Sequence, residues 1–287
     1  MFASLAISAS LAAAAPATMD EWHTACAGKE DDWNAPAPPV RIFGNVYNVG
    51  SCGIVSLLIT GPRGHILLDG ATAEAAPSIA SNIERLGFRL SDVKLIGGSH
   101  EHFDHAGGIA ELQRRTGARV MARPPAFNPY ETGVVNKQDP QAGLHQPFPG
   151  SEVGQLLSDG QVVRLGPLEL TVHATPGHAP GSTSWSWRSC QGQRCVNIVY
   201  ADSVSAVSAD SYRFSDHPKY VANFRRSLNR IARLPCGLLI TPHPSASNLI
   251  DRLDGKAPLI GPGQCRAYAA NGAKALNDRL ARETESK

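Results

Sequence analysis

Between Ser99 and Gly108 the chain reads Ser-His-Glu-His-Phe-Asp-His-Ala-Gly-Gly, which sets three imidazoles and a carboxylate at the spacing HxHxDH. Imidazole nitrogen and carboxylate oxygen are the donors that a borderline cation such as Zn²⁺ takes. In an extended segment alternate side chains share a side, so His100 and His102 can grip one ion together. Asp104 and His105 fall at the turn that follows, where a second ion a few ångströms away can be held, as two-metal hydrolases require. The pair Gly107-Gly108 is expected to let the backbone turn sharply beneath them. Four donors in one loop do not complete two tetrahedral sites. Two further histidines have the same setting, a rigid turn at the end of an apolar run: His178 in Thr175-Pro176-Gly177-His178-Ala179-Pro180-Gly181-Ser182, and His243 in Ile240-Thr241-Pro242-His243-Pro244.

These donors need strands and helices to carry them. Val40 to Val49, Gly53 to Thr60, Gly64 to Leu68 and Val93 to Ile96 are apolar or β-branched and broken by Gly and Pro, so they read as strands. Pro77 to Leu86 has helical spacing, and a helix is expected from Gly107 to Arg115. The second half repeats the grammar. Strands are expected near 161–173 and 195–201, with a helix from Lys219 to Leu234, a strand at Gly237 to Thr241 and a C-terminal helix from about Arg266. The fold class is α/β and layered. Residues 18–39 read as an arm over the body. Ala126 to Gly150 has no periodicity and is expected to be a lid. Trp33, Phe127, Tyr130 and Phe148 either line a groove or pin those segments down. His23, His65, His173 and His217 are read as structural, and His145 as a solvated loop residue.

The chain has 287 residues, 42% hydrophobic and 18% charged, enough to bury a large core. Its 27 basic and 25 acidic residues leave a formal charge of +2 with no Lys/Arg stripe, which sets nucleic acid aside as a partner. Phe2 to Ala15 is an uncharged apolar run leading into Ala15-Pro16-Ala17, so residues 1–17 read as a cleaved signal peptide and 18–287 as the domain. Such a run is short of the roughly 18 apolar residues that a membrane span takes, so a periplasmic protein free of the membrane is expected. Six cysteines suit that oxidising compartment, and none are spaced as CxxC. Cys190 and Cys195 flank a turn-like Gln-Gly-Gln-Arg between two strand-like runs, which suits a bridge across a hairpin. The pairing of the other four stays open.

The HxHxDH segment, the Pro-Gly-His-Ala-Pro-Gly turn and the late strand-end histidine together resemble the metallo-β-lactamase superfamily. Tyr200-Ala201-Asp202-Ser203-Val204-Ser205, with the complete histidine set, is similar to its subclass B3. The resemblance covers nearly all of residues 18–287 and implies a four-layer αβ/βα sandwich with the metal site at one edge. It implies two zinc ions per chain, one held by His100, His102 and His178 and the other by Asp104, His105 and His243. Asp104 would also be catalytic, orienting the attacking oxygen, and Ser203 and Ser205 would meet the substrate carboxylate. It pairs Cys26 with Cys52, Cys190 with Cys195, and Cys236 with Cys265. The implied activity is opening of the β-lactam ring of penicillins, cephalosporins and carbapenems by a metal-bound hydroxide, in a monomer whose partner is a small molecule. Asp202 separates this from the alternative, a zinc-dependent lactonase or glyoxalase-II-like thioesterase, where an aspartate in this region bridges the metals. A third reading, structural zinc, is opposed by the donor count: a structural site closes with four protein ligands, and three per ion leave a position open.

Overall fold

Thr18 starts the first helix with a capping box: its hydroxyl accepts from Glu21 N while its own N–H donates to Glu21 Oε2 at 2.8 Å. The expected arm thus begins as a helix, α1 (Met19–Cys26). The computed structural model describes residues 15–285, so most of the expected signal peptide lies outside the described residues.

The short apolar runs form a seven-stranded sheet in chain order: β1 (Val40–Phe43), β2 (Val46–Asn48), β3 (Leu57–Ile59), β4 (His65–Leu68), β5 (Val93–Gly97), β6 (Arg119–Ala122) and β7 (Val153–Leu156). The first four are antiparallel and the remainder parallel. Parallel neighbours need crossovers. These are α2 (Ala76–Arg85) between β4 and β5, α3 (Phe103–Ala106) with α4 (Ile109–Thr116) between β5 and β6, and α5 (Pro124–Thr132) between β6 and β7. The second sheet has the order β12-β11-β10-β9-β8, built from β8 (Val162–Leu165), β9 (Leu168–Ala174), β10 (Thr183–Gln191), β11 (Arg194–Tyr200) and β12 (Leu238–Ile240). Its parallel pair, β11 and β12, is bridged by α6 (Pro218–Arg233); α7 (Leu249–Leu253) and α8 (Gln264–Glu285) end the fold.

Strand alternation explains the layering. Leu57, Ile59, Ile66 and Leu68 face Trp185, Ile198 and Tyr200 between the sheets, whereas Leu58 and Leu67 face outward against Ile79, Ile83 and Leu112 of α2 and α4. On the other side Val199 and Leu239 pack against Phe224, Leu228, Ile231 and Leu276 of α6 and α8. Helix, sheet, sheet, helix is the four-layer αβ/βα order expected above. Among the described residues no helix is long and apolar enough to cross a membrane.

Three disulfides tie the periphery down. Cys26–Cys52 fastens α1 to the loop after β2, Cys190–Cys195 closes the β10–β11 hairpin, and Cys236–Cys265 joins the approach to β12 to α8. Two stretches differ from expectation. Val40 to Val49 is a hairpin broken at Gly44, whose φ of +55° suits glycine. The segment from Ala126 is not aperiodic throughout, because its first residues belong to α5. Pro124 and Pro125 occupy the first turn, where no N–H is needed. Pro129, inside the helix, leaves the carbonyl of Pro125 without a helical donor, and Asn136 Nδ2 donates to it at 2.7 Å.

Candidate metal centre

The donors come from both sheets and meet at one edge of the sandwich. His100 and His102 lie on the loop after β5, Asp104 and His105 on α3, His178 on the turn between β9 and β10, and His243 after β12. Beneath them, Asp69 takes a positive φ of 65° at the end of β4. Such a conformation costs roughly 1–3 kcal/mol in a non-glycine residue. The surroundings compensate for it: Asp69 accepts hydrogen bonds from Ser99 N at 2.5 Å, Ser99 Oγ at 2.7 Å and Tyr200 Oη at 2.6 Å. Gly107 and Gly108 have ordinary helical φ values of −59° and −84°, so they do not make the sharp turn expected of them. They serve close approach instead, since a Cβ on Gly108 would sit 2.2 Å from the carbonyl oxygen of Gly70.

His100, His102 and His178 bring one nitrogen each within 4.8 Å of one another, all buried, and nitrogens of His100 and His105 with a carboxylate oxygen of Asp104 form a second such group. His243 completes the second group. Asp104 Oδ2 is 3.1 Å from His105 Nε2 and 3.4 Å from His243 Nε2, and the two imidazole nitrogens are 3.2 Å apart. A tetrahedral zinc with bonds near 2.0–2.1 Å has ligand atoms about 3.3 Å apart. That spacing matches this trio.

The far nitrogen of four of these rings is held from behind. His100 Nδ1 donates to Asp202 Oδ1 at 2.8 Å, and its Nε2 is buried with no partner. His102 Nε2 pairs with Asp139 Oδ2 at 3.0 Å, leaving Nδ1 for the centre. His178 Nδ1 donates to the carbonyl of Ser205 at 3.1 Å. His105 Nδ1 lies 3.3 Å from Asp69 Oδ2, at ion-pair distance without hydrogen-bond alignment. Carboxylate or carbonyl behind imidazole is the arrangement that fixes the tautomer of a metal-binding histidine. With an orphaned nitrogen facing two other imidazoles, the donor set fits a cation.

Charge is arranged accordingly. Burial, then the neighbouring His105, holds the His100 pKa well below its usual value, and burial brings His178 down to about 3, so both are neutral imidazoles with a free lone pair. Burial alone would raise Asp104, but His105 beside it and hydrogen bonds from His105 and His243 keep it well below the usual range. Burial would lower His105, yet Asp104 and Asp69 carry it up to about 10. This half of the centre therefore stabilises positive charge. Glu101, between the first two histidines, is fully buried and pushed up to about 7, chiefly by desolvation. Its Oε1 accepts from Gly181 N at 2.8 Å and so ties the first loop to the turn that bears His178.

A profile of the metallo-beta-lactamase superfamily matches residues 49–191. The fold is similar to the metallo-β-lactamase MIM-1 from Novosphingobium pentaromativorans, 50% identical, covering 93% of this chain and 98% of that one with a TM-score of 0.90. The chain belongs to the metallo-β-lactamase superfamily. Within the superfamily it is also similar to two subclass B3 metallo-β-lactamases. MEM-A1, from a soil metagenome library, is 42% identical over 89% of this chain and 100% of that one, TM-score 0.86. BJP-1 of Bradyrhizobium japonicum is 30% identical over 91% and 99%, TM-score 0.81. The expected likeness to subclass B3 holds. Among curated proteins the chain is similar to hydroxyacylglutathione hydrolases of Rhodopseudomonas palustris, at 33% identity over 42% of this chain and 41% of that protein, and at 32% over 53% and 49%. It spans about half the length of these relatives or less.

Around this superfamily centre, Ser203 is buried and Ser205 exposed. Both line a cavity of about 260 Å³ that also touches His243 and Asn271. Ser205 Oγ lies 3.0 Å from His178 Nδ1, so this serine supports a proposed ligand as well as facing the cavity. The Trp33 ring sits 5.7 Å from His243 and 5.6 Å from Phe103, at the rim, whereas Tyr130 and Phe148 are core residues that pin their segments. His145 is half-buried and not simply solvated: its ring lies 5.8 Å from His102, and its Nε2 pairs with Gln141 Oε1 at 3.1 Å. The amide nitrogen of Gln141 is 3.4 Å from His178 Nε2. Asp69, Glu101, Asp139 and Gln141 were not singled out from sequence. Only Asp69 carried a signal, an Asp-Gly at the end of an apolar strand.

Proposed function

We propose that this chain is an exported dinuclear zinc β-lactamase of the B3 type. Residues 1–17 would be removed on export, and residues 18–287 would act in the periplasm on penicillins, cephalosporins and carbapenems. The observation that carries the reading is that two groups of donors share one edge: nitrogens of His100, His102 and His178 lie within 4.8 Å of one another, and Asp104 Oδ2 lies 3.1 Å from His105 Nε2 and 3.4 Å from His243 Nε2; the first group would hold one ion and the second the other. When bound, zinc supplies Lewis acidity and a nucleophile near neutral pH. The chain's own residues supply orientation. Asp104 turns Oδ2 to His105 and His243, which leaves its other oxygen to align the attacking water. Ser203 and Ser205, which line the cavity beside His243, would meet a substrate carboxylate.

The β-lactam class rests on the company the chain keeps: lactamases match it over nearly its whole length, hydroxyacylglutathione hydrolases over about half of it. The thioesterase alternative needs an aspartate between the ions, and Asp202 instead sits behind His100, bonded to Nδ1. The test is hydrolysis of a chromogenic cephalosporin, a carbapenem and S-lactoylglutathione by purified protein, with and without a chelator. Turnover of both β-lactams, abolished by the chelator, is expected. Chelator-sensitive turnover of the thioester with none of either β-lactam would replace this reading by the alternative.

A further inference from the structure

Four of the five proposed imidazole ligands have a carboxylate or a carbonyl behind the ring; among the described residues His243 has neither. Its Nε2 faces Asp104 and His105, and its ring neighbours are His105 and Trp33. What is fixed is the backbone. Pro244 follows directly, which keeps His243 extended, and its φ of −96° and ψ of 122° agree. One residue earlier, Val55 N donates to Pro242 O at 2.8 Å.

A buried hydroxyl adds to this. Thr241, directly after β12, is fully buried, a place where a hydroxyl must find partners. Its Oγ donates to His243 O at 2.7 Å and lies 2.8 Å from Ser247 Oγ, which has a proton of its own to share. The same carbonyl accepts from Ala246 N at 3.2 Å, so residues 243–247 turn tightly around it. Arg252 completes the circuit: Nη1 donates to Ser247 O at 3.2 Å and to Leu239 O, back in β12, at 2.8 Å. Its other N–H groups go to Pro258 O, Leu259 O and Gln264 Oε1, none of them a carboxylate. Contacts therefore run from β12 through Thr241, His243, Ser247 and Arg252 and return to β12.

We propose that Thr241 is the positioning residue of His243: its hydroxyl, clasped with Ser247, holds this ligand through the main chain in place of a group behind the ring. The inference rests on the reading of His243 as a ligand of the second ion.

The test is zinc titration of the metal-free full chain in competition with a chromophoric chelator, which reads both ions whatever substrate the enzyme takes. Thr241→Val keeps the side-chain shape and removes the hydroxyl; it should weaken the second ion about 10–100-fold and leave the ion of the histidine trio within about twofold. Thr241→Ser keeps the hydroxyl and should hold the second ion within about threefold of the unaltered chain. Ser247→Ala, at a half-buried position, removes one partner of the clasp and should weaken the second ion about three- to tenfold. This variant carries the test if the valine variant does not fold. A merely structural role would lower the thermal midpoint and weaken both ions together. Unchanged affinity for the second ion in Thr241→Val or Ser247→Ala, equal weakening of both ions, or no rescue by serine would overturn the proposal. A single ion bound by the unaltered chain would overturn the two-ion reading, and this inference with it.

Discussion

His100 and His102 are 1% and 2% exposed and His178 is 7%, whereas the His243 side chain is 29% exposed. The two halves of the centre are held in different ways. In the three-histidine half each ring is buried and clamped from behind by Asp202, Asp139 or the Ser205 carbonyl. In the other half the arrangement depends on charge: Asp104 is held ionised, and His105 is drawn up to about 10 by two carboxylates. Enclosure makes the first half rigid before any ion arrives. The second half is open to solvent on its His243 side, from which substrate and water would reach it. An ion held there would exchange more easily, because fewer contacts would have to break to release it.

The strongest way to break this comparison is to remove one donor from each half. His178→Ala is expected to lower zinc content and reduce kcat/KM by more than the roughly 10–100-fold typical of outer-shell changes, while His243→Ala spares the ion of the histidine trio. Zinc counting by mass spectrometry checks it; loss of both ions in His243→Ala would show that the halves are not independent. A smaller effect is expected for Asp139→Ala, which frees His102 Nε2 and should weaken zinc binding about 10–100-fold in competition with a chromophoric chelator. Unchanged affinity would remove Asp139 from the account. The two serines sharpen the contrast further. Ser203→Ala should raise KM about 2–10-fold with kcat steady, the loss of one hydrogen bond. Ser205→Ala should also weaken zinc binding, since Ser205 Oγ touches His178.

The smallest effect concerns the frame behind the open half, where α8 backs the Ser203 segment and Tyr268 Oη donates to Asp202 O at 3.0 Å. Burial would raise Glu283, but hydrogen bonds from Arg279 Nε, Ser215 N and Phe214 N bring it down to about 2. A folded pKa below the unfolded one contributes stability that is complete above about 4.5 and lost as pH falls towards 2. Glu283→Gln should therefore flatten the decline of the denaturation midpoint between about pH 4.5 and 3. An identical pH profile in the variant would show that this carboxylate carries no share of the acid lability.

Legibility followed locality. The HxHxDH spacing, the two strand-end histidines, the layered α/β class and the Cys190–Cys195 hairpin were all readable, because each is a short-range pattern with one physical meaning. Helix α5 was missed because three prolines mask it, two in a turn that needs no N–H and one whose lost bond is made good by Asn136. Asp139 and Gln141 were illegible for another reason. They lie in a stretch without periodicity, and their roles exist only once the chain folds that stretch back onto His102 and His178. Glu101 was hidden by the rule that glutamates face solvent; here it is buried and bonded to Gly181.

The central claim is that two cations occupy two different trios. Diffraction from zinc-loaded crystals on either side of the zinc absorption edge tests it most directly. Two anomalous peaks are predicted, one within about 2.0–2.1 Å of nitrogens of His100, His102 and His178, the other equally near Asp104, His105 and His243. A single peak, or a peak coordinated by Asp202, would contradict the account.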